Sequence, residues 1–191
     1  MPGNPAPIKI FGEHDEATRR QIERCVASES ERGVLCADAH KGYAQPIGGV
    51  VAYRDKISLS GVGFDIACGN LAIRTDITRG EIQAAIPRLM DEIVRDISFG
   101  IGKTAKVPTG HELFDDPAWA LKPLRDLKLL AAEQLGTVGG GNHYVDLFAD
   151  DEDLIWVGVH FGSRGLGHRT ATFFLKAAGG KDGMDVAPTV V

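Results

Sequence analysis

The sequence predicts a fold of the α+β or α/β class, and three observations carry the prediction. Amphipathic stretches with the 3.6-residue helical period alternate with short β-branched runs, and glycine gathers at the joints between them. No run is apolar over the roughly 18 to 20 residues that a membrane span needs. With 191 residues, 43% of them hydrophobic, the chain is long enough to bury one good core, and a single domain over 1–191 is expected.

Residues 14–31 read as the first helix, with Ile22, Cys25 and Val26 on one apolar face and Gly33 as its stop. Cys25 is therefore expected in the core. The stretches 33–42 and 46–60 hold short β-branched runs broken by glycine and by the turn pair Arg54-Asp55, the pattern of strands joined by tight loops. A further strand, 70–77, leaves a glycine-bounded loop. Thr78 and Glu81 have the T-x-x-E spacing in which side chains and backbone amides satisfy each other at a helix start. Pro87, lacking an N–H, is expected to kink or divide that helix before it resumes over 88–97.

Asp116-Pro117 opens another helical region, and Pro123 opens a helix to about Leu135 with Leu124, Leu127, Leu130 and Ala131 on one side. Strands at 143–148 and 154–160 and a helix over 168–178 complete the order.

Composition bounds the chemistry. A net charge of −5 supplies no global attraction for nucleic acid, so any RNA contact must use a local basic surface. Three cysteines are an odd and sparse set for a disulfide framework, and the opening residues lack the basic and apolar regions of a signal peptide. Reduced thiols and a cytoplasmic location are the expectation.

Three glycine-flanked clusters hold the reactive side chains: GVGFDIACGN at 61–70, GTVGGGNHYVD at 136–146 and VHFGSRGLGH at 159–168. They offer a hard oxygen in Asp65, a soft thiolate in Cys68 and imidazoles in His143 and His160, a donor set suited to a transition cation. Taken alone, Asp65 and Cys68 also fit a loop carboxylate capping amides beside a small buried thiol. The glycines before Asn142 expose backbone N–H groups on which a phosphate can lie, although neither a P-loop nor a dinucleotide fingerprint is present. Arg164, in the turn after His160, has the fork geometry for phosphate oxygens. His40, between Asp38 and Lys41, reads as a loop hydrogen bond or a substrate contact, His168 as a helix-initiating residue, and His14 and His111 as surface residues without a role.

Taken in order, D-x-x-C, G-G-G-N-H and H-x-G-S-R-G-L-G-H resemble the RtcB-type RNA ligase family, and DAHKGYAQPIGG is similar to that family's D-x-H-x-G-x-x-x-P-I-G-G segment. The resemblance spans about residues 33–185. It implies an α+β fold of mixed sheets with flanking helices around a central metal-binding cleft, incomplete here at the C-terminus. It also implies a GTP-dependent tRNA-splicing ligase that joins 2′,3′-cyclic-phosphate or 3′-phosphate RNA ends to 5′-hydroxyl ends, using Mn²⁺ and a histidine-GMP intermediate. By motif, Cys68 bridges two Mn²⁺ ions, Asp65 and His143 complete one, and His160 belongs to the other. Asn142 contacts the guanylate phosphate, Arg164 lies at the reacting phosphates, and Asp146 stands where many members have Glu in N-H-x-x-E. Substrate RNA, GTP and an archease-type activator are the partners implied.

The sequence departs from the family at its end. Members are longer, and the histidine that takes the guanylate has no counterpart among the six here, so it is expected outside this chain. A C-terminally truncated ligase is the reading adopted. The alternatives are a metal-dependent phosphoesterase, which needs only an activated water, and a non-catalytic metal-binding remnant, including one built on structural zinc.

Overall fold

The structure is a computed structural model and describes residues 8–27, 31–183 and 186–191. Among these the fold is mixed α+β: five α-helices, three short 3₁₀ turns and three small sheets, in the strand orders β1-β2-β3, β4-β8-β7 and β5-β6. The chain forms two compact units, one of residues up to Phe64 with Ala171–Val191, the other of Asp65–Thr170. No helix among the described residues is long and apolar enough to cross a membrane.

In the first unit, β1 (Ile8–Ile10) pairs parallel with β2 (Arg32–His40), and β2 pairs antiparallel with β3 (Ile47–Ala52). Helix α1 covers Glu16–Cys25 and packs on this sheet through a core of Ile22, Val26 and Leu35, with Ile8, Ala39 and Val51 against it. Burying Ile22 and Leu35 completely contributes roughly 2 to 3 kcal/mol each. The Asp15 side chain starts the helix by accepting from the Thr18 amide at 2.7 Å.

The helix is shorter than the expected 14–31: it closes when the Val26 amide bonds the Ile22 carbonyl, and residues 28–30 of that stretch lie outside the described residues. Gly33 is not its stop. It is buried in β2, where an added Cβ would sit 2.7 Å from Val26 Cγ2, so its role is to let α1 and β2 approach. Cys25 is in the core as expected, and its thiol donates to Ala44 O.

Gln21, fully buried, bonds both ways with the segment after β2: its amide donates to Gly42 O and Tyr43 O, and its carbonyl accepts from Gly42 N. His14 has a structural role that its polar setting does not suggest, since its two ring nitrogens lie 3.0 Å from Ala39 O and 2.7 Å from Phe11 O. The strand expected from 46 ends at Ala52, the turn residue Asp55 takes φ 55°, and beyond it only Ser58 forms a bridge, to Val190.

In the second unit, β4 (Gly69–Thr78) pairs antiparallel with β8 (Leu154–Phe161), which pairs antiparallel with β7 (Tyr144–Ala149). The Thr78 capping box forms, with the Thr78 amide 2.7 Å from Glu81 Oε2 and the Glu81 amide 3.3 Å from Thr78 Oγ1. Helix α2 (Arg79–Ile82) then passes through a 3₁₀ turn at Gln83–Ala85 into α3 (Ile86–Asp96). The division expected at Pro87 falls just before it, because proline is tolerated in a helix's first turn, where its missing N–H has no partner to lose.

Two further 3₁₀ turns, Glu112–Asp115 and Pro117–Ala120, precede α4 (Leu124–Gln134), which starts after Pro123 as expected and buries Leu127. After α4, β6 (Thr137–Gly139) pairs parallel with β5 (Ser98–Phe99), which follows α3, and leads into the glycine loop. Helix α5 (Arg164–Ala177) begins four residues earlier than expected, so His168 lies within it and does not start it.

Candidate metal and phosphate site

Side chains alternate along β8, and the alternation separates two kinds of surface. Trp156, Gly158 and His160 share one face with their register partners Phe148, Asp146 and Tyr144 on β7 and Arg74, Ala72 and Asn70 on β4. On the other face Val145, Val157, Val159 and Phe161 line an apolar cavity of about 680 Å³. His160 is thus held on the polar face at the end of an apolar strand, between Asn70 and Tyr144.

Asp65 and Cys68 come to the same place through a local turn. The Cys68 amide donates to Asp65 O at 3.0 Å, and Ala67 accommodates the bend with φ 61°, in the left-handed region. His143 follows the glycine loop immediately before β7, its side chain largely buried. The four side chains then converge. Cys68 Sγ lies 3.7 Å from His143 Nε2 and 3.2 Å from His160 Nε2, and His143 Nε2 lies 2.7 Å from Asp65 Oδ2. The sulfur of Cys68 and one ring nitrogen of each histidine all lie within 4.8 Å of one another, a grouping able to hold a metal ion.

The outer nitrogens decide which way the rings face. His143 Nδ1 is 2.9 Å from Val138 O, which only accepts, so this nitrogen carries a proton, and Nε2 faces Asp65 Oδ2 and Cys68 Sγ. His160 Nδ1 is 2.6 Å from Asn70 Oδ1, while the Asn142 amide nitrogen stands 3.3 Å from its Nε2. Both neighbours assign the same tautomer. The cluster thus gathers a thiol sulfur, two ring nitrogens and a carboxylate, a donor set suited to a cation. Loss of solvent and then the Asp65 carboxylate push the Cys68 thiol up to about 11.

Two glycines make the room. A Cβ on Gly162 would fall on both Asp65 carboxylate oxygens. Gly139, buried and at φ 101°, would meet the Arg164 guanidinium and, at 2.8 Å, His143 Nδ1. Sequence reading assigned the 139–141 glycines to exposed amides, whereas Gly139 serves close packing of two side chains.

Of the other expected site residues, Asn142 is at the cluster, against His160. Arg164, at φ 55°, braces the surrounding loops: its Nε donates to Thr137 Oγ1 at 3.2 Å and its Nη2 to Gly100 O at 3.0 Å. Burial lowers its pKa, partly offset by the Asp65 charge. Asp146 is exposed on β7, two register pairs from Tyr144, and it is not brought into hydrogen-bond contact with the cluster. In the first unit, His40 ends β2 with Nδ1 3.2 Å from Asp38 O; in the second, His111 caps a 3₁₀ turn by accepting from Leu113 N. Sequence reasoning missed Asn70 and Tyr144, whose ring stacks on His160 at 5.7 Å. The signal for both was adjacency, Asn70 two residues after Cys68 and Tyr144 next to His143.

Residues 24–123 and 122–186 match the family model described as "tRNA-splicing ligase RtcB". The chain is 32% identical over 190 residues to the tRNA-splicing ligase RtcB of Thermococcus kodakarensis, covering 75% of this chain and 39% of that protein. It is 30% identical over 162 residues to the RNA-splicing ligase RtcB of Escherichia coli K12, covering 74% and 38%. Against the tRNA-splicing ligase RtcB of Methanococcus maripaludis the identity is 28% over 226 residues, covering 92% and 47%. The chain thus spans between 38% and 47% of the length of these relatives.

Proposed function

The chain belongs to the tRNA-splicing ligase RtcB family, and from that membership and the cluster around Cys68 we propose that it serves RNA end joining by holding the catalytic cation. The full reading is ligation of 2′,3′-cyclic-phosphate or 3′-phosphate RNA ends to 5′-hydroxyl ends with GTP and Mn²⁺ through a histidine-GMP intermediate. In it, the guanylated histidine is none of the six present here. One observation carries the proposal: Cys68 Sγ and a ring nitrogen of each of His143 and His160 lie within 4.8 Å of one another, with both rings turning Nε2 toward the sulfur and their Nδ1 atoms held by Val138 O and Asn70 Oδ1.

This donor set fits a first-row transition cation. Thiolate and imidazole favour such ions, and the Asp65 carboxylate beside His143 admits the harder Mn²⁺. Cys68, His143, His160 and Asp65 would hold it, with Cys68 shared where two ions are present. When bound, the cation neutralises phosphate charge and polarises a phosphoryl oxygen.

The chain's own groups supply the positioning. The Asn142 amide, exposed beside His160, offers an N–H donor to a guanylate phosphate oxygen. Asp146 reaches the nucleotide from the exposed face of β7. Arg164 contributes fixed positive charge near Asp65, and its bonds to Gly100 and Thr137 hold the glycine loop in place for phosphates. The archease-type activator and the cytoplasmic setting belong to the same reading.

The test is equilibrium binding of Mn²⁺ to the chain, with RNA oligonucleotides of defined ends and [α-³²P]GTP added in turn. The expected result is Mn²⁺ binding, tighter retention of a 3′-phosphorylated RNA in its presence, and no covalent guanylate on the chain alone. A labelled histidine would place the nucleophile inside the chain. Release of phosphate from a cyclic end without GTP would replace ligation with hydrolysis. Absence of Mn²⁺ binding would remove the proposal's basis.

A further inference from the structure

Asn70 stands opposite His160 in the β4–β8 register, and its Oδ1 accepts from His160 Nδ1 at 2.6 Å, the shortest of the ring's polar contacts. Imidazole carries one proton in its neutral form, and the nitrogen that meets a fixed acceptor keeps it. An amide oxygen at this place therefore leaves Nε2 as the bare nitrogen, facing Cys68 Sγ at 3.2 Å. The Asn142 amide favours the same choice through a weaker contact. Tyr144 lies against the flat of the ring and is indifferent to which nitrogen is protonated, and the Asn142 amide contact at Nε2 is longer, at 3.3 Å.

The strand geometry makes the contact rigid. Asn70 is on a regular stretch of β4 whose pairing with β8 runs without a register break from Gly69 to Arg74. Its side chain is exposed, so no core packing explains an amide here. His143, by contrast, has its tautomer set by a backbone carbonyl, Val138 O, which substitution cannot remove. Of the two histidines, only His160 depends on a replaceable side chain.

We infer that Asn70 is a positioning residue that locks His160 in the Nδ1–H tautomer and so keeps Nε2 available as a metal ligand. This rests on the metal reading above, and it extends that reading to a residue acting through His160 without touching the cation. Partners of this kind are worth about 10- to 100-fold in metal affinity.

The experiment compares the chain with Asn70→Leu, which keeps size and strand compatibility but removes the acceptor, and Asn70→Asp, which keeps an acceptor oxygen. In each, the His160 tautomer is read from long-range ¹H–¹⁵N correlation of histidine-labelled, metal-free protein, and Mn²⁺ affinity is measured separately. The inference predicts Nδ1–H in the wild type and in Asn70→Asp, a population of Nε2–H in Asn70→Leu, and an affinity about 10- to 100-fold weaker in Asn70→Leu alone. An unchanged tautomer in Asn70→Leu overturns it, as does equal weakening in both variants. If the wild type binds no Mn²⁺, the metal reading fails, and the metal-free tautomers still decide whether Asn70 sets the ring.

Discussion

Gly162→Ala tests the site's architecture without touching a ligand. Gly162 has no positive φ, so alanine adopts its backbone without strain. The added methyl falls on the whole Asp65 carboxylate, its carbon included, and that side chain gives way by turning about its Cα–Cβ bond. The fold is thus little affected, by less than about 1 kcal/mol. What is lost is the 2.7 Å approach of Asp65 Oδ2 to His143 Nε2. Where that carboxylate completes the cation's shell, displacing it weakens Mn²⁺ binding by about 10- to 100-fold, or about 1.4 to 2.8 kcal/mol.

Calorimetric titration of wild type, Gly162→Ala, Asp65→Ala and the double variant reads this directly. Because the methyl acts only through Asp65, it should add nothing once Asp65 is alanine. Unchanged affinity in Gly162→Ala, or effects that sum in the double variant, would show that the Gly162 gap does not position Asp65 for the cation.

Two predictions concern the first unit. Burial pushes the Cys25 thiol from an ordinary value near 9 to about 11, so the fold prefers the protonated form. The associated stability, roughly 2 to 3 kcal/mol, is fully present below pH 9 and is lost as pH rises toward 11. Urea unfolding across this range should decline more steeply for the wild type than for Cys25→Ala, and parallel slopes would contradict it; Tyr53, raised to about 12 by burial and then by the Cys25 charge, adds a decline that Cys25→Ala also lessens. Gln21→Leu leaves Gly42 N, Gly42 O and Tyr43 O without their partner and should cost about 2 to 4 kcal/mol in thermal or urea unfolding, whereas a change below about 0.5 kcal/mol would show that water replaces the amide.

Local chemistry was legible and long-range pairing was not. The T-x-x-E signal at Thr78 and Glu81 forms its capping box because both partners lie within one turn. Asp65 and Cys68 converge through a bond between their own backbones, so three-residue spacing was sufficient. Pairing of β4 with β8 joins residues about 90 apart, and no spacing in the sequence encodes it; hence Asn70, adjacent to a recognised motif, carried no visible role. Gly33, Gly139 and Gly162 show the same limit, since a glycine needed for a turn and one needed for a neighbour's side chain look alike until the neighbour is placed. The three-residue strand β1 is too short to show alternation. Arg164 was chosen for its fork, and the structure shows that fork engaged with the protein's own backbone.

Whether Cys68, His143 and His160 hold one cation together is read from Co²⁺ substitution. The chain loaded with Co²⁺ should show a near-ultraviolet thiolate-to-metal charge-transfer band that survives Cys25→Ser and Cys36→Ser and vanishes in Cys68→Ser. A band that is missing in the wild type, or that persists in Cys68→Ser, would contradict a shared cation.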